Sequence, residues 1–587
     1  MRIKSWLAIL LALASVGTKA EAQRRPAPVR VNIIAFNDFH GALEPPRMAM
    51  TAPGPGGDVR VPAGGVAYFA SAVRRLRAAN PNSVVVSAGD LISASPLISA
   101  EFLDEPTILA MNLVGLDFSA VGNHEFDRGR QELLRMQNGG CQRFTTRRPC
   151  RLDRFPGARF RILAANVRTE NGQTLFPASA LRSFGTGRNR VRVGFIGLTL
   201  RDTSTLVTPT GISGLTFGDE AEAINTAARQ LRAQGADAIV VLIHQGLSTE
   251  VGYNDHSCRG VSGDLLPVLA RLDRSIDVVV SGHTHHSYIC DYGRIDASRP
   301  ILVTSAEKNG VILTNISLTI DPARHRVTAK SADNVLVQGE GYTDRRGTVP
   351  LSNLYPVFPA DPAVRALVAR YAAAAAPIIA RPIGHLAGPA MKETNDAGES
   401  TMGDLIADAF LAATSGPETG NAQLAFTNQT SVRTDLIPAT DGSVTFGQLF
   451  AVQPFGNNLV VMTMTGRQLR AALEQQFASG PNTVESPIML QPSRGFTYSY
   501  DLRRPEGQRI LDMRLNGAPM TDEASYRVTI NSFLASGGDS FTVFRQGTNP
   551  VGGIQDVDAL ERYIAAMGVS PPPLPPADRI TRLWPRP

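Results

Sequence analysis

Short apolar runs rich in β-branched residues recur from residue 29 to about residue 320, and helix-like stretches separate several of them. The predicted strands are Val31–Phe36, Val84–Ser87, Ile162–Ala165, Val191–Leu198, Ala238–Ile243, Val278–Val280, Ile301–Thr304 and Val311–Ile320. The predicted helices are Val66–Ala79, Glu105–Leu113 and Asp219–Gln234. Continuous apolar strands indicate sheets that are covered on both faces, because a half-exposed strand alternates polar and apolar residues. The pattern therefore predicts a layered α/β domain with buried sheets over residues 29–338.

The chain after this domain changes in character. Gln338–Pro359 is polar, contains Gly and Pro, and predicts a linker. Asp361–Ala376 predicts a connecting helix, because an N-cap candidate precedes a proline and a run of alanines. A second, smaller α/β segment then runs from about Ile383 to Met567. We divide the chain into residues 29–338, a linker and helix over 339–378, a second domain over 379–567 and a Pro-rich tail over 568–587. We expect the tail to be extended or poorly ordered.

The first 22 residues have the features of a secretory signal peptide. Arg2 and Lys4 give a positive start, an apolar run follows, and Ala20-Glu21-Ala22 has the pattern of a cleavage site. The apolar run is shorter than the ~20 residues that a membrane span needs. Because no later segment is apolar enough to span a bilayer, the sequence predicts a soluble, periplasmic or secreted protein after removal of the signal peptide.

Composition and charge narrow the class of protein further. The 587 residues are 43% hydrophobic and 19% charged, which predicts two folded domains and excludes a disordered chain. The formal net charge of +6 is spread along the chain without a basic run, so a nucleic-acid polymer is not the indicated partner.

The four cysteines outside the signal peptide predict disulfides in an oxidising compartment. Three pairings are open to four cysteines, and Cys141–Cys150 with Cys258–Cys290 joins the nearest neighbours in sequence. A zinc site is the weaker interpretation because the chain has no C-x-x-C pair.

Metal-binding residue types follow five of the apolar runs. The segments are Asp38-Phe39-His40, Gly89-Asp90, Gly122-Asn123-His124-Glu125, His244 and Gly282-His283-Thr284-His285. Open α/β sheets bind ligands at the carboxyl ends of their strands. On an extended chain, two residues separated by one residue point their side chains to the same side. A single histidine after a strand is more often a surface or core residue. The whole ordered set predicts a metal centre, and carboxylate with imidazole suits Zn, Mn or Fe.

This ordered set resembles the calcineurin-like metallophosphoesterases. Within them, the chain is similar to the bacterial family of 5′-nucleotidases, UDP-sugar hydrolases and 2′,3′-cyclic nucleotide phosphodiesterases over about residues 29–560. The resemblance implies an N-terminal αββα sandwich, a linker helix, a smaller α/β substrate-binding domain and two divalent metal ions, with Zn, Mn and Co all compatible. By this resemblance the first metal is held by Asp38, His40, Asp90 and His285, and the second by Asp90, Asn123, His244 and His283.

The same resemblance gives two further residues a catalytic role. His124 matches the catalytic histidine of the family, and Asp127 matches the acid that pairs with it. The implied reaction is attack on phosphorus by a hydroxide that bridges the two metals. His124 would stabilise the developing charge or protonate the leaving group.

Two glycine-containing turns in the second domain resemble the substrate motifs of the family. Gln453–Asn457 contains Phe455 and Asn457, and Ser532–Asp539 contains Phe533 and Asp539. In the family, two aromatic rings sandwich a nucleobase while an Asn and an Asp hold its polar edges. A Phe in an apolar stretch is usually a core residue, but two such turns with polar neighbours favour a binding site.

The phosphate-binding positions match the family only in part. Asn428 and Arg433 match a family segment that reads Asn-Gly-Gly-Gly-x-Arg, whereas Gln429 to Ser431 replace its glycines. Gly398 stands where some relatives have an arginine that binds phosphate, and Lys392 is the nearest cation in sequence. These departures leave the preferred substrate open.

The leading hypothesis is an exported phosphohydrolase that converts nucleoside 5′-monophosphates to nucleoside and phosphate. A 2′,3′-cyclic nucleotide phosphodiesterase and a UDP-sugar hydrolase are the alternatives with the same chemistry. Phe455 and Phe533 argue against a thiosulfohydrolase, because a sulfur ester needs no base sandwich. A non-enzymatic nucleotide-binding surface protein is disfavoured because all seven ligand residues are present. The oligomeric state stays open.

Overall fold

The computed structural model describes residues 26–145, 147–207, 209–344 and 347–584. The predicted signal peptide, residues 1–22, lies outside this part of the chain. The remaining residues form two α/β domains joined by one long helix, and this agrees with the fold class expected from the sequence.

The N-terminal domain is built on two six-stranded sheets. In spatial order the first contains Arg326–Leu336, Ile312–Asp321, Val29–Phe36, Ser83–Ser87, Phe118–Ala120 and Arg161–Leu163. The second contains Ser287–Asp291, Leu302–Ala306, Val278–Ser281, Ala238–His244, Val191–Thr199 and Ser179–Phe184. The central strands of each sheet are parallel. Their carboxyl ends therefore lie along one edge of each sheet.

The two sheets pack face to face, and helices cover their outer faces. Alternate residues of Val29–Phe36 divide between two cores. Val31 and Ile33 contact the second sheet, whereas Ile34 and Phe36 pack against the helices Val66–Ala79 and Glu105–Val114. The second sheet packs its outer face on Glu220–Ala233 and Leu265–Leu269. The layers are helix, sheet, sheet and helix, and burial on both faces explains why the strands are continuously apolar.

A long helix follows the first domain. The helix spans Pro362–Ile379, and the Asp361 carboxylate caps it by accepting hydrogen bonds from the backbone N–H groups of Ala363 and Val364. Among the described helices this one is long and apolar enough to cross a membrane by length and composition. It contacts Glu105–Val114 of the first domain and Phe446–Val452 of the second, so it belongs to the body of the folded molecule.

The C-terminal domain contains a five-stranded and a four-stranded sheet. The five-stranded sheet has the order Leu490–Pro492, Leu424–Asn428, Ser525–Asn531, Asn458–Thr465 and Thr548–Gln555. The four-stranded sheet has the order Ala518–Pro519, Ile510–Leu515, Phe496–Tyr500 and Ile580–Arg582. The longer helices are Thr401–Thr414, Phe446–Val452, Gly466–Glu474 and Asp556–Ala566. Capping boxes at Thr445 and Thr465 fix where two of these helices begin.

Several shorter elements complete the fold. Paired two-stranded sheets are Met48–Ala52 with Val59–Ala63, Val167–Arg168 with Thr216–Phe217, Tyr342–Asp344 with Gly347–Val349, and Pro382–His385 with Ser443–Thr445. Short helices are Leu97–Ala100, Arg130–Asn138, Thr203–Leu206 and Ser532–Ala535. Two disulfides, Cys141–Cys150 and Cys258–Cys290, join the cysteines that are nearest in sequence.

The tail, which the sequence predicts to be extended or poorly ordered, contains an extended strand within its described residues up to 584. Ile580–Arg582 adds a parallel strand beside Phe496–Tyr500. The side chain of Arg579 is buried and donates two hydrogen bonds of 2.9 Å to the Asp408 carboxylate. The backbone N–H groups of Arg579 and Ile580 donate to Glu399. This buried bidentate arginine–carboxylate pair holds the tail against the second domain. The proline content of the tail alone does not predict this contact.

Candidate metal centre and substrate cavity

The seven predicted metal ligands come together where strands of the two sheets end. Val29–Phe36 leads into Asp38 and His40, Ser83–Ser87 into Asp90, and Phe118–Ala120 into Asn123. The second sheet contributes His244, the last residue of its strand, and His283 and His285 just after Val278–Ser281. Because the parallel strands of both sheets end on the same side, ligands far apart in sequence lie in one cluster.

The first group of donor atoms surrounds His285. Its Nε2 lies 3.3 Å from Asp38 Oδ1 and 3.3 Å from the Nε2 of His40. The Nε2 of His40 lies 3.8 Å from Asp38 Oδ1 and 3.7 Å from Asp90 Oδ2. Nitrogen and carboxylate lone pairs that converge at these distances are arranged as ligands of one cation.

The second group lies on the other side of Asp90. The Nε2 of His244 lies 3.0 Å from Asp90 Oδ2, and the Nδ1 of His283 lies 3.1 Å from the side-chain oxygen of Asn123. Asp90 Oδ2 is thus close to His40 of the first group and to His244 of the second. Asp38 Oδ1 also lies 4.0 Å from the Nε2 of His244, and the division of the seven residues between two cations stays a prediction.

Outer hydrogen bonds fix the orientation of two imidazole rings. The Nδ1 of His40 lies 3.0 Å from the Ser93 carbonyl oxygen, and the Nδ1 of His244 lies 2.9 Å from the Ala88 carbonyl oxygen. Because Nδ1 donates to these carbonyls, each Nε2 keeps its lone pair and faces the cluster. The buried Nε2 of His244 faces Asp90 Oδ2 at 3.0 Å without the geometry of a hydrogen bond, and a cation bound there would satisfy both groups. The residues therefore fit a metal site.

The electrostatics of the cluster favour neutral His40 and His283 beside ionised Asp38. His244 differs, because burial lowers its pKa but the close charge of Asp90 outweighs this and raises the pKa to about 10. Burial lowers the pKa of His40 to about 3. Burial and the charge of His244 lower the pKa of His283 to about 4. Burial raises the pKa of Asp38, but its hydrogen bond with His285 and the charge of His244 outweigh this and lower the pKa to about 2. Neutral imidazoles beside ionised carboxylates are the ligand forms of both residue types.

The backbone at the ligands is strained. Five of the seven ligands have left-handed backbone conformations, with φ values of 49° at Asp38, 47° at His40, 51° at Asp90, 73° at His283 and 57° at His285. Such conformations cost about 1–3 kcal/mol each in non-glycine residues and cluster at functional sites. A Cβ at Gly122 would lie 2.1 Å from Asp90 Oδ1, so only glycine lets the chain pass this carboxylate.

Glu125 anchors the loop that carries Asp90, and the sequence analysis gave it no role. Its carboxylate is buried and accepts hydrogen bonds from the backbone N–H groups of Asp90 at 2.9 Å, Leu91 at 2.8 Å and Gly122 at 2.5 Å. Burial and the charge of Asp90 raise the pKa of Glu125 to about 7. The signal was present in the sequence, because Glu125 ends the Gly-Asn-His-Glu segment.

His124 and Asp127 form the expected pair. The Nδ1 of His124 lies 2.7 Å from Asp127 Oδ2. Burial lowers the pKa of His124, but the charges of Asp127 and Asp90 outweigh it and raise the pKa to about 9. The His124 ring is stacked on Phe455 of the other domain, with centroids 5.8 Å apart and planes at 12°. This pairing between a candidate catalytic group and a candidate base-binding ring is not readable from the sequence.

A cavity of about 690 Å³ lies between the two domains beside the metal cluster. Its lining includes the predicted site residues Asn123, His124, Asp127, His283, Asn428, Arg433, Phe455, Asn457, Phe533 and Asp539. The volume is in the range of ligand pockets, roughly 300–1,000 Å³. The structure therefore brings the catalytic pair and all six predicted substrate residues to one space.

The aromatic residues lie on different parts of the cavity wall. Phe455 and Phe533 make no ring contact with each other within the described chain, so cavity space separates them. The guanidinium carbon of Arg433 lies 5.5 Å from the Phe455 ring centre. A base that stacks on the Phe455 ring therefore competes with His124 or with Arg433 for contact with that ring.

The polar substrate residues form a network. The side-chain amide of Asn428 donates to Asp539 at 2.7 Å, and the hydroxyl of Thr430 donates to the same carboxylate. Asn531 donates to the side-chain oxygen of Asn428 at 3.2 Å. Asn457 donates to Asp556 at 3.3 Å. The replacement of a family glycine by Thr430 thus adds a hydroxyl that holds Asp539.

Gly398 stands where some relatives have a phosphate-binding arginine. Its φ is 79°, and a Cβ there would lie 2.7 Å from Met489 Cγ, so a side chain at this position would strain the backbone and displace the Met489 side chain. Lys308, which the sequence analysis did not single out, lies in the loop whose Asn309 N–H donates to the Asp38 carbonyl oxygen at 2.7 Å. Desolvation and the charges of Arg433 and Lys392 lower the pKa of Lys308. The backbone hydrogen bond of Asn309 thus holds the loop of Lys308 against a residue of the metal cluster.

Comparison with known proteins defines the class of this chain. Residues 31–287 match the calcineurin-like phosphoesterase family, and residues 382–546 match the 5′-nucleotidase C-terminal domain family. The chain belongs to the calcineurin-like phosphoesterases that carry a 5′-nucleotidase C-terminal domain, a class of metal-dependent phosphoester hydrolases.

Proteins similar to this chain are named for different reactions. The endonuclease YhcR of Bacillus subtilis (strain 168) is 30% identical over 551 residues, which cover 92% of this chain and 40% of YhcR, so the chain spans less than half of that relative. The crystal structure of a 5′-nucleotidase precursor from Thermus thermophilus is 26% identical with a TM-score of 0.68, over 94% of this chain and 99% of that one. The sulfate thiohydrolase SoxB of Thermus thermophilus shares the fold at 18% identity and a TM-score of 0.62, over 95% and 97% of the chains.

Proposed function

We propose that the chain hydrolyses nucleoside 5′-monophosphates to nucleoside and phosphate with the help of two divalent cations. The observation that carries this proposal is that the His124–Asp127 pair and the turns with Phe455 and Phe533 line one cleft. Asn123 and His283 of the predicted ligand set line the same cleft. A relative named for nucleotidase activity has the same two domains over nearly its whole length.

Asp38, His40, Asp90 and His285 would hold one cation, and Asp90, Asn123, His244 and His283 the other. When bound, such a pair lowers the pKa of a bound water and offsets negative charge on the phosphoryl oxygens. The carbonyl oxygens of Ser93 and Ala88 keep the rings of His40 and His244 in the donor orientation.

His124 and Asp127 would act on the leaving oxygen of the ester. Asp127 holds the Nδ1 of His124, so the Nε2 is the nitrogen left to donate a proton to a departing alkoxide. The neighbouring carboxylates raise the pKa of His124 to about 9, against the effect of burial, and this favours the protonated ring that such a donor needs.

The C-terminal domain would hold the nucleotide. Phe455 and Phe533 offer ring faces for a base, a contact worth ~1–3 kcal/mol per base. Asp539, oriented by Asn428 and Thr430, offers a carboxylate to a polar edge. Arg433, which lines the cleft, would neutralise the phosphate, and Lys308 and Lys392 would add positive charge in the absence of an arginine at Gly398.

The protein would act outside the cytoplasm. Its four cysteines outside the signal segment all form disulfides, which persist in oxidising compartments. This supports export to the periplasm or the medium.

A substrate panel tests the proposal. Purified, metal-loaded protein would be assayed with AMP, a 2′,3′-cyclic nucleotide, UDP-glucose, ATP and a thiosulfonate, with Asp90→Asn as the inactive control. We expect the highest kcat/KM for AMP. A higher value for the cyclic nucleotide or UDP-glucose would move the assignment to that alternative, and no release of phosphate or nucleoside from any nucleotide would refute it.

A further inference from the structure

The helix Phe446–Val452 of the second domain connects the contact between the domains with the substrate cleft. Phe455 follows the end of this helix by three residues and stacks on His124 of the first domain. Within the helix, the side chain of Phe450 is 2% exposed. Where this helix lies relative to the first domain therefore decides how the Phe455 ring meets His124.

Two side chains of the first domain belong to the apolar core around this helix. Leu97 and Ala100 are 5% and 1% exposed and lie in the same buried cluster as Phe450. Their own helix, Leu97–Ala100, contacts Phe446–Val452. Because the hydrophobic effect is non-directional, this burial attracts the two helices without selecting one orientation.

Arg147 adds a directional contact at the same place. Its Nη1 donates a hydrogen bond of 2.6 Å to the carbonyl oxygen of Ala100 in the first domain. Its guanidinium carbon lies 5.2 Å from the ring centre of Phe450 in the second domain. The Arg147 side chain is 28% exposed, and burial together with the charge of Arg128 lowers its pKa. An aromatic face attracts a guanidinium group, and the attraction is stronger where water is excluded.

The segment that carries Arg147 is held to the first domain. The Cys141–Cys150 disulfide closes this segment into a loop. The backbone N–H of Cys150 donates to the Glu105 carboxylate at 3.0 Å, and Arg135 donates to the same carboxylate oxygen at 2.7 Å. Arg147 therefore joins a firmly held part of the first domain to the second domain.

We propose that Arg147 is a positioning residue for nucleotide binding, because its contact with Phe450 holds the helix that places Phe455 against the first domain. This inference rests on the proposed function, in which a nucleobase stacks on the Phe455 ring. Loss of the guanidinium group leaves the apolar packing of Leu97 and Ala100 in place but allows the helix to shift. The Phe455 ring then lies less often in the position that accepts the base. Neither Arg147 nor Phe450 lines the cleft, so the chemistry at the metal centre is not affected.

Steady-state kinetics of the metal-loaded variant Arg147→Gln test this role. We expect KM for AMP to rise about threefold or more, the effect of losing one cation–π contact, while kcat on AMP stays at the wild-type value. KM for p-nitrophenyl phosphate, which has no nucleobase, stays unchanged. Arg147→Lys keeps a cation over the ring and restores part of the affinity. An unchanged KM for AMP, or an equal rise for both esters, would overturn the role.

Arg151→Gln is the matched control. Arg151 is 34% exposed, pairs with Glu101, and has its guanidinium carbon 5.1 Å from the ring centre of Phe102. Both partners belong to the first domain, so this variant loses the same charge and the same kinds of contact without touching the second domain. We expect its KM for AMP to stay at the wild-type value. A rise equal to that of Arg147→Gln would show a general effect of charge or stability and would refute the positioning role.

A double-mutant cycle tests whether Arg147 acts through Phe450. Phe450→Leu removes the aromatic ring and keeps an apolar side chain in the core. If both residues act through one contact, the combined variant raises KM for AMP no further than Phe450→Leu alone. Effects that multiply would assign separate roles to the two residues and contradict the inference.

Hydrogen exchange of the metal-free protein tests the contact without catalysis. We expect peptides that cover residues 446–457 to exchange faster in Arg147→Gln and at the wild-type rate in Arg151→Gln. If the wild type releases no phosphate from AMP but exchange differs as expected, the proposed function fails while the contact between the domains stands. If AMP is hydrolysed and Arg147→Gln changes neither KM nor exchange, the positioning role fails while the proposed function stands.

Discussion

Glu125→Gln tests whether the protein scaffold holds the metal ligands in place. The Glu125 carboxylate is 5% exposed and accepts three backbone hydrogen bonds, from Asp90 and Gly122 on one oxygen and from Leu91 on the other. A glutamine has only one side-chain oxygen. Its NH2 group must therefore face at least one of these N–H groups, which loses a bond to a charged acceptor and brings two donors together.

The magnitude follows from the bonds that are lost. If the amide oxygen keeps Asp90 and Gly122, one bond to Leu91 is lost, and a hydrogen bond to a charged group is worth about 1.5–3 kcal/mol. We expect the free energy of unfolding to fall by about that amount. Because Asp90 belongs to both ligand groups, we also expect metal affinity to fall about 10- to 100-fold, as is typical when an outer partner of a ligand is removed.

The assay combines urea unfolding of the metal-free protein with metal content measured after dialysis against a weak chelator. Glu220→Gln is the matched control, because Glu220 is also buried, accepts a backbone hydrogen bond from Arg201 at 2.6 Å and lies away from the cluster. It should lower stability but leave metal affinity unchanged. Wild-type metal affinity in Glu125→Gln, or an equal loss of affinity in the control, would refute the reasoning.

Three other changes probe the catalytic and substrate residues. His124→Asn should lower kcat on AMP by about 10²–10⁴-fold, the usual range for a general acid, while metal content by mass spectrometry stays unchanged; parallel loss of metal would contradict this role. Phe455→Ala combined with Phe533→Ala should lower kcat/KM on AMP by more than about tenfold, since base stacking contributes ~1–3 kcal/mol per base. The same variant should act normally on p-nitrophenyl phosphate, and an equal loss on both esters would exclude base stacking. Lys308→Met should raise KM for AMP by about tenfold or more, because a charge-assisted contact is worth about 1.5–3 kcal/mol, whereas Lys330→Met, remote from the cleft, should not; an unchanged KM would exclude Lys308 from phosphate binding.

The sequence predicts those strands and site residues that follow from the pattern of apolar positions along the chain. The apolar run at Val29–Phe36 predicts its strand because burial on both faces needs continuous apolar residues, and the observed strand begins two residues before the predicted Val31. The ligands Asp38 and Asp90 are predicted for the same reason, since the end of a buried strand is a known place for polar groups.

Other features depend on long-range contacts that no local pattern contains. Arg579 is one residue in a Pro-rich segment, and only its contact with Asp408, 171 residues away, shows that the tail is held. The sequence shows Lys308 only as a loop lysine. The backbone bond from its neighbour Asn309 to the Asp38 carbonyl oxygen shows that this loop lies against the metal cluster. The left-handed backbone at His40 and His283 is equally invisible, because the surrounding structure imposes it against the preference of the residues.

The central claim is that phosphate release depends on two cations bound by this cluster. The direct measurement is a titration of chelator-stripped protein with Mn²⁺, with phosphate release from AMP followed at each step. We expect no release from the stripped protein and activity that rises to a plateau at two equivalents of metal per chain. Full activity without metal, or no phosphate release at any ratio of metal to protein, would refute the dependence on two cations.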